Sequence, residues 1–78
     1  MTHYLKTLKC HFEHIRNGDK PFEIRRNDDR GFQKGDMVIF EEFDNVSNRI
    51  TGRTIEAKIT YVTNFRQAPE MVVFGVKF

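Results

Sequence analysis

The chain has a single cysteine, Cys10, so no disulfide can form within it. Its 78 residues also hold no run near the roughly 18 apolar residues that a membrane-spanning helix needs. The opening MTHYLKTLKC lacks the apolar stretch of a secretory signal. A lone thiol suits a reducing compartment, and the expectation is a soluble, cytoplasmic protein without a membrane partner. Metal ligands are sparse. His3, His11 and His14 are close in sequence, but neither a second thiol nor an HxxxH pair joins them, so no metal and no cofactor is expected. Excess charge is missing as well: 13 Lys+Arg against 11 Asp+Glu leaves +2. That excludes a polycationic chain that coats nucleic acid without selectivity.

Aromatic residues are plentiful. Eight phenylalanines and two tyrosines can build the dense core that so short a chain needs, because large rings bury much area each. One domain spanning 1–78 is expected, and a monomer. The charge, though balanced, is unevenly spread. Residues 1–36 carry 8 basic and 6 acidic side chains and all three histidines, whereas residues 37–78 carry 5 of each sign. A polar functional cluster therefore belongs in the first half, and the second half reads as wall.

Tyr4 to Leu8 alternates apolar and polar residues, the period of a half-buried strand. From Lys9 to Arg16 the spacing lengthens, and Phe12 and Ile15 share the apolar face of a two-turn helix closed by Asn17-Gly18. Phe22 to Arg25 alternates again, predicting a strand with an apolar face of Phe22 and Ile24 and a polar face of Glu23 and Arg25. Asn27 to Gly31 is a polar loop, and Lys34-Gly35-Asp36 is a tight turn. Met37 to Phe43 is a strongly β-prone buried strand. Asp44 to Gly52 reads as a loop. Arg53 to Thr63 is the clearest strand, with Ile55, Ala57, Ile59 and Tyr61 on one side. Met71 to Phe78 closes the fold, with Gly75 placed for a bulge or corner. The sum is a mainly β (α+β) domain of five to six strands with one short helix after the first strand. A barrel is expected, since closure removes exposed sheet edges.

The segment Gly18-Asp19-Lys20-Pro21-Phe22-Glu23-Ile24-Arg25 resembles the G-x-K-x-x-E-x-R signature of the ASCH superfamily, whose fold is the PUA-like β-barrel. His3-Tyr4-Leu5-Lys6 is similar to the H-x-L-K opening of its short prokaryotic and phage-type members. Arg26-Asn27-Asp28, Phe32-Gln33-Lys34-Gly35-Asp36 and Thr51-Gly52-Arg53 follow in matching order. The resemblance covers His3 to Val76. It implies a barrel with a helix beside it and, between them, a cleft that binds RNA or a nucleotide. It also implies a second possibility, because some ASCH members resemble amidohydrolases that remove acyl groups from modified cytidines. Those use a lysine at the Lys20 position, a threonine or similar group three residues later, and a distal glutamate. Here the third residue on is Glu23, so the hydroxyl is missing from that place.

The residues themselves support a binding cleft. Lysine is a point-charge partner for phosphate, and arginine offers a planar fork to phosphate or a base edge. Glu23 and Arg25, two apart on a strand, share one face. The expected ligand-binding set is Lys20, Glu23 and Arg25, with Lys6, Arg26, His3 and Arg66 around them. Tyr4, Phe65 and the histidines are stacking candidates, and Lys9 and Arg30 extend the basic rim. An enzyme would instead use Lys20 as base or nucleophile, with Glu23 or Glu70 moving protons. A protein-interaction adaptor would show an exposed apolar patch at Val72, Phe74 and Phe78. The plainest reading makes Lys20, Glu23 and Arg25 a surface ion-pair network worth under about 1 kcal/mol per pair. Cys10 reads as a small core hydrophobe, and His11 and His14 as solvated helix positions.

Overall fold

A computed structural model describes residues 1–26 and 31–78; Asn27, Asp28, Asp29 and Arg30, expected as a loop and part of the basic rim, lie outside the described residues. The chain opens with strand β1 (Thr2–Leu8) and passes without a linker into helix α1 (Lys9–Arg16). Phe12 and Ile15 are fully buried on the helix's inner face, as their spacing predicts. The helix stops where Gly18 adopts a positive φ of 82°. There the amides of Gly18 and Asp19 donate to the Ile15 and His14 carbonyls, a Schellman closure that an L side chain would strain.

Four more strands follow: β2 (Phe22–Arg26), β3 (Met37–Asp44), β4 (Arg49–Thr63) and β5 (Met71–Lys77). They form one five-stranded sheet in the order β1-β3-β4-β5-β2. β1 runs parallel to β3, and every other pair is antiparallel. A parallel pair cannot be joined by a tight turn, and the connection here carries both α1 and β2. The fold is thus mainly β with one short helix after the first strand. Its described ladder is open: β1 and β2 are the two ends of the sheet, and closure by main-chain pairing, which the barrel expectation required, is not what joins them.

Alternation sets the inner face. His3, Leu5 and Thr7 of β1 face in, as do Val38, Phe40 and Glu42 of β3 and Val72, Phe74 and Val76 of β5. Phe32, Ala57 and Ile59 complete the core with Leu5, Phe12 and Ile15. Three expectations need correction. Asp44 to Gly52 is a tight hairpin rather than a long loop. The Asp44 carboxylate accepts from the Val46 and Ser47 amides, and β4 already begins at Arg49. Tyr61 is exposed, because the register slips between Ile59 and Tyr61 and hands the inward position to Val62, which packs on the core. Gly75 pairs with Tyr61 beside that irregularity; a Cβ there would lie 3.3 Å from the Thr60 hydroxyl. Finally, Cys10 is exposed, on the helix face opposite the core. No helix among the described residues is long and apolar enough to cross a membrane.

Candidate functional site

Strand β2 alternates as expected, and its polar face is the one turned inward. Glu23 is 6% exposed, whereas Phe22 and Ile24 are 42% and 47% exposed. The register explains what each side meets: Glu23 lies opposite the core residue Phe74, and Arg25 opposite Val72. The polar side of β2 therefore points into the fold. It does so at the sheet's end, where it faces β1 across a gap instead of another strand.

Arg25 spans that gap. Its Nη2 donates to the Lys6 carbonyl at 3.1 Å and to the Thr7 hydroxyl at 3.4 Å. The two ends of the sheet are thus tied by a side chain where a ladder is absent. Under this tie is a cavity of about 260 Å³ lined by Lys6, Thr7, Leu8, His11, Lys20, Glu23, Ile24 and Arg25. It combines the β1 end, the start of α1 and the turn into β2, which is why no single segment discloses it.

Glu23 is the centre of the cavity's chemistry. Its Oε1 accepts from Lys20 Nζ at 3.2 Å and from the Ile24 amide at 3.4 Å. Its Oε2 lies 3.7 Å from Arg25 Nη2, an ion-pair distance that is too long for a hydrogen bond. Among the described residues, Glu23 Oε2 is the one buried side-chain nitrogen or oxygen without a hydrogen-bond partner. Such an atom is costly to leave unmet. Here it sits in a carboxylate flanked by two cations, on the wall of an open cavity. The three residues matched at the sequence level are therefore a semi-buried cluster, not a solvated surface network: the Lys20 and Arg25 side chains are 19% and 27% exposed.

The other predicted residues scatter. Lys6 contributes its carbonyl, while its ammonium reaches over the Phe43 ring at 5.5 Å from the centroid. His3 is buried away from the cavity, its ring 4.6 Å from that of Phe32 and tilted 51° to it. Its Nε2 donates to Asp36 Oδ2 at 2.8 Å. That bond is the main reason the Asp36 carboxyl titrates below its ordinary range. Arg26 and Glu70 pair with each other at 2.8 Å on the exposed surface, so Glu70 joins neither Lys20 nor Glu23. Arg66 is exposed beside Phe65. Val72 and Phe74, expected in an exposed patch, are core residues; of the three only Phe78 is exposed.

One residue that sequence reading passed over belongs to the cavity. Thr7 was visible only as a polar position in an alternating strand, yet its parity with His3 and Leu5 turns it inward. His11, a stacking candidate whose plainer reading was a solvated helix position, lines the rim. A larger hollow of about 480 Å³ lies against Met37, Glu56, Ala57, Lys58, Thr60, Lys77 and Phe78. Size does not recommend it. Its walls hold no buried polar atom left unpartnered among the described residues, and hydrogen-bonding need is the better guide to a built site.

A family model described as "Domain of unknown function (DUF3850)" matches residues 2–76. An Escherichia phage P2 protein, "Uncharacterized 12.9 kDa protein in GpA 3'region", is 37% identical over 62 residues. The match covers 80% of this chain and 54% of the phage protein, so the chain spans about half the length of that relative.

Proposed function

The chain belongs to the DUF3850 family, and from the geometry of its cleft we propose that it is an RNA- or nucleotide-binding module of the ASCH, PUA-like kind. One observation carries this reading. The almost wholly buried Glu23 carboxylate lines a cavity together with the lysine and the arginine that flank it. A carboxylate held between two cations in a cleft is placed to accept from an N–H donor of a ligand. Nucleobases carry such donors beside oxygen and nitrogen acceptors, which the two cations suit. His11 at the rim offers a ring for stacking, the usual partner of an unpaired base. The volume, about 260 Å³, lies just below the range of roughly 300–1,000 Å³ for drug-sized ligands, and suits a base with its sugar. The sheet ends, tied through Arg25, take the place of the barrel seam that the ASCH resemblance implies.

The test is an NMR titration of labelled protein with short single-stranded RNAs and free nucleosides at low salt. The expected result is amide shifts centred on Thr7, His11, Lys20, Glu23 and Arg25, and loss of binding in Lys20→Ala and Arg25→Ala. Binding unchanged in both variants refutes the cleft.

A second reading has one observation of its own. The hydroxyl absent three residues after Lys20 is supplied in space by Thr7, which lines the same cavity. Its oxygen donates to the Leu5 carbonyl and accepts from Arg25. An amidohydrolase of acylated cytidine would use it beside Lys20 and Glu23. Release of acetate from N4-acetylcytidine, abolished in Thr7→Val, is the result that supports this activity.

A further inference from the structure

The face of the sheet turned away from the core carries a second constellation. Ala57 and Ile59 of β4 are buried, so Lys58 between them points outward. Lys58 lies directly opposite Met37 of β3 on one side and Lys77 of β5 on the other. Two lysines in direct cross-strand pairing share one face and repel. Glu56 stands two residues before Lys58 on the same face, yet among the described residues neither lysine makes an ion pair. The hollow of about 480 Å³ has both lysines and Thr60 on its wall. Unbalanced charge, and not its size, is what recommends it.

The next row on this face, about 7 Å along the strands, is aromatic. Tyr61 of β4 and Phe22 of β2 both lie opposite Gly75, one from each side. Their Cα atoms are thus two strand spacings, roughly 10 Å, apart. Gly75 puts no side chain between them, and the Thr60 hydroxyl borders the space, 3.3 Å from where a Cβ would stand. Tyr61 is 65% exposed and Phe22 42%, and among the described residues neither ring packs on another ring. Lys20 Nζ reaches over the Phe22 ring at 5.9 Å from its centroid, so the aromatic row has basic neighbours on two sides.

We propose that this outer face is a second nucleic-acid site, one that takes a single strand. A backbone phosphate is held at Lys58 and Lys77, and bases stack on Tyr61 and Phe22. Cations beside aromatic platforms are what a single strand requires, since phosphates meet the first and exposed base faces the second. A duplex keeps its bases stacked inside and leaves the rings without partners. A peptide strand adds to an open sheet edge, whereas β4 and β5 are interior strands paired on both sides. The site stands on the opposite face of β2 from the cleft, and neither assignment depends on the other.

The test is a titration of labelled wild-type protein with the oligoribonucleotide U6, with an abasic strand of equal length, and with polyglutamate. U6 is expected to shift the amides of Lys58, Thr60, Tyr61, Gly75 and Lys77. It should also quench tyrosine emission in Tyr4→Phe, which leaves Tyr61 as the sole tyrosine. Affinity for U6 should fall about tenfold in Tyr61→Ala, the scale of one base–aromatic stack, and stay within about threefold of wild type in Tyr61→Phe. In Lys77→Gln the slope of log affinity against log salt should shrink by about 0.7, the effect of one single-strand phosphate contact. Both positions are exposed, and urea midpoints show that the variants fold. Abasic strand or polyglutamate bound as tightly as U6, or Tyr61→Ala binding U6 like wild type, overturns the proposal. Shifts confined to the cleft overturn it and leave the cleft reading standing. Shifts confined to the outer face uphold it and count against the cleft, and absence of any shift overturns both.

Discussion

Two buried glutamates on the inner face of the same sheet have opposite fates. Glu42 on β3 is 2% exposed, and both its oxygens are engaged. Thr51 donates to Oε1 at 2.6 Å and Arg53 Nη1 to Oε2 at 3.2 Å. The same guanidinium reaches Glu13 of α1 at 2.9 Å and lies over the Phe12 ring at 5.1 Å from the centroid. Glu42 is therefore the anchor of a clamp that holds the helix on the sheet. Glu23 on β2 is equally desolvated in kind, yet one oxygen is unmet and the neighbouring space is open. A carboxylate whose partners all come from the fold is a structural element. One whose partners are incomplete beside a cavity leaves room for a group from outside the fold, water included.

The widest separation between the two should appear on breaking the clamp. Arg53→Ala leaves Glu42 buried with only Thr51, and removing one partner of a buried pair costs roughly 3–5 kcal/mol. Arg53 is itself about half exposed, so water can reach the vacated place and the expected loss is about 3 kcal/mol, the low end. Urea unfolding measures it directly. A loss under about 1 kcal/mol, the scale of a surface pair, would mean that Glu42 is no anchor.

The acid limb of stability should report a third carboxylate, which behaves like Glu42. Asp36 accepts from His3 and from the Gln33 amide, and its carboxyl is held below the ordinary value chiefly by the His3 bond. A depressed pKa in the folded state means stability that is full above the unfolded pKa and lost as pH falls through the folded one. Thermal midpoints should accordingly drop on acidification below the ordinary carboxylate range. In Asp36→Asn that part of the slope should disappear. An identical acid profile in the variant would show that the His3–Asp36 contact does not contribute.

At the cleft the cost should be smaller. Glu23→Met removes the unmet Oε2 but also Oε1, which accepts from Lys20 and the Ile24 amide; the Lys20 and Arg25 side chains keep some exposure to water, so the expected loss is about 1–2 kcal/mol, less than for Arg53→Ala. Ligand binding should be lost in the same variant. Stability that is largely spared while function is lost is the usual mark of a site. If Glu23→Met costs as much as Arg53→Ala, both glutamates are structural and the contrast dissolves.

The sequence disclosed the elements better than their phase. The helix at Lys9–Arg16, with Phe12 and Ile15 buried, follows from spacing alone, and five strands lie where alternation places them. Phase failed wherever something non-local decided it. Alternation showed the two faces of β2 but not which one turns inward. Burial of Phe22 and Ile24 is the default, and β2 instead ends the sheet beside a gap with Glu23 buried. Tyr61 failed because a register slip two residues earlier is invisible to a period-two count. Glu42 was legible in principle. It stands two residues from Phe40 and four from Val38, and parity alone puts it inside. Lys20, Glu23 and Arg25, singled out together, do lie together, but their burial, and the Thr7 and His11 that join them, depend on β1 and α1 arriving at the same place.

The inward turn of the polar face of β2 has its own test, with the smallest expected effect. Ile24 is 47% exposed, on the solvent side of an end strand, and a β-branched polar residue suits that place as well. Ile24→Thr is therefore expected to change stability by less than about 0.5 kcal/mol, the scale of a surface substitution. Val72, opposite Arg25 on the inner face, supplies the control. It is 6% exposed, and Val72→Thr places an added hydroxyl in the core, with an expected loss of about 1–3 kcal/mol. Equal losses at the two positions would return Ile24 to the core. Glu23 would then face solvent, and its unmet oxygen would be satisfied by water. A silent Ile24→Thr beside a destabilising Val72→Thr keeps Glu23 inside, on the wall of the cleft.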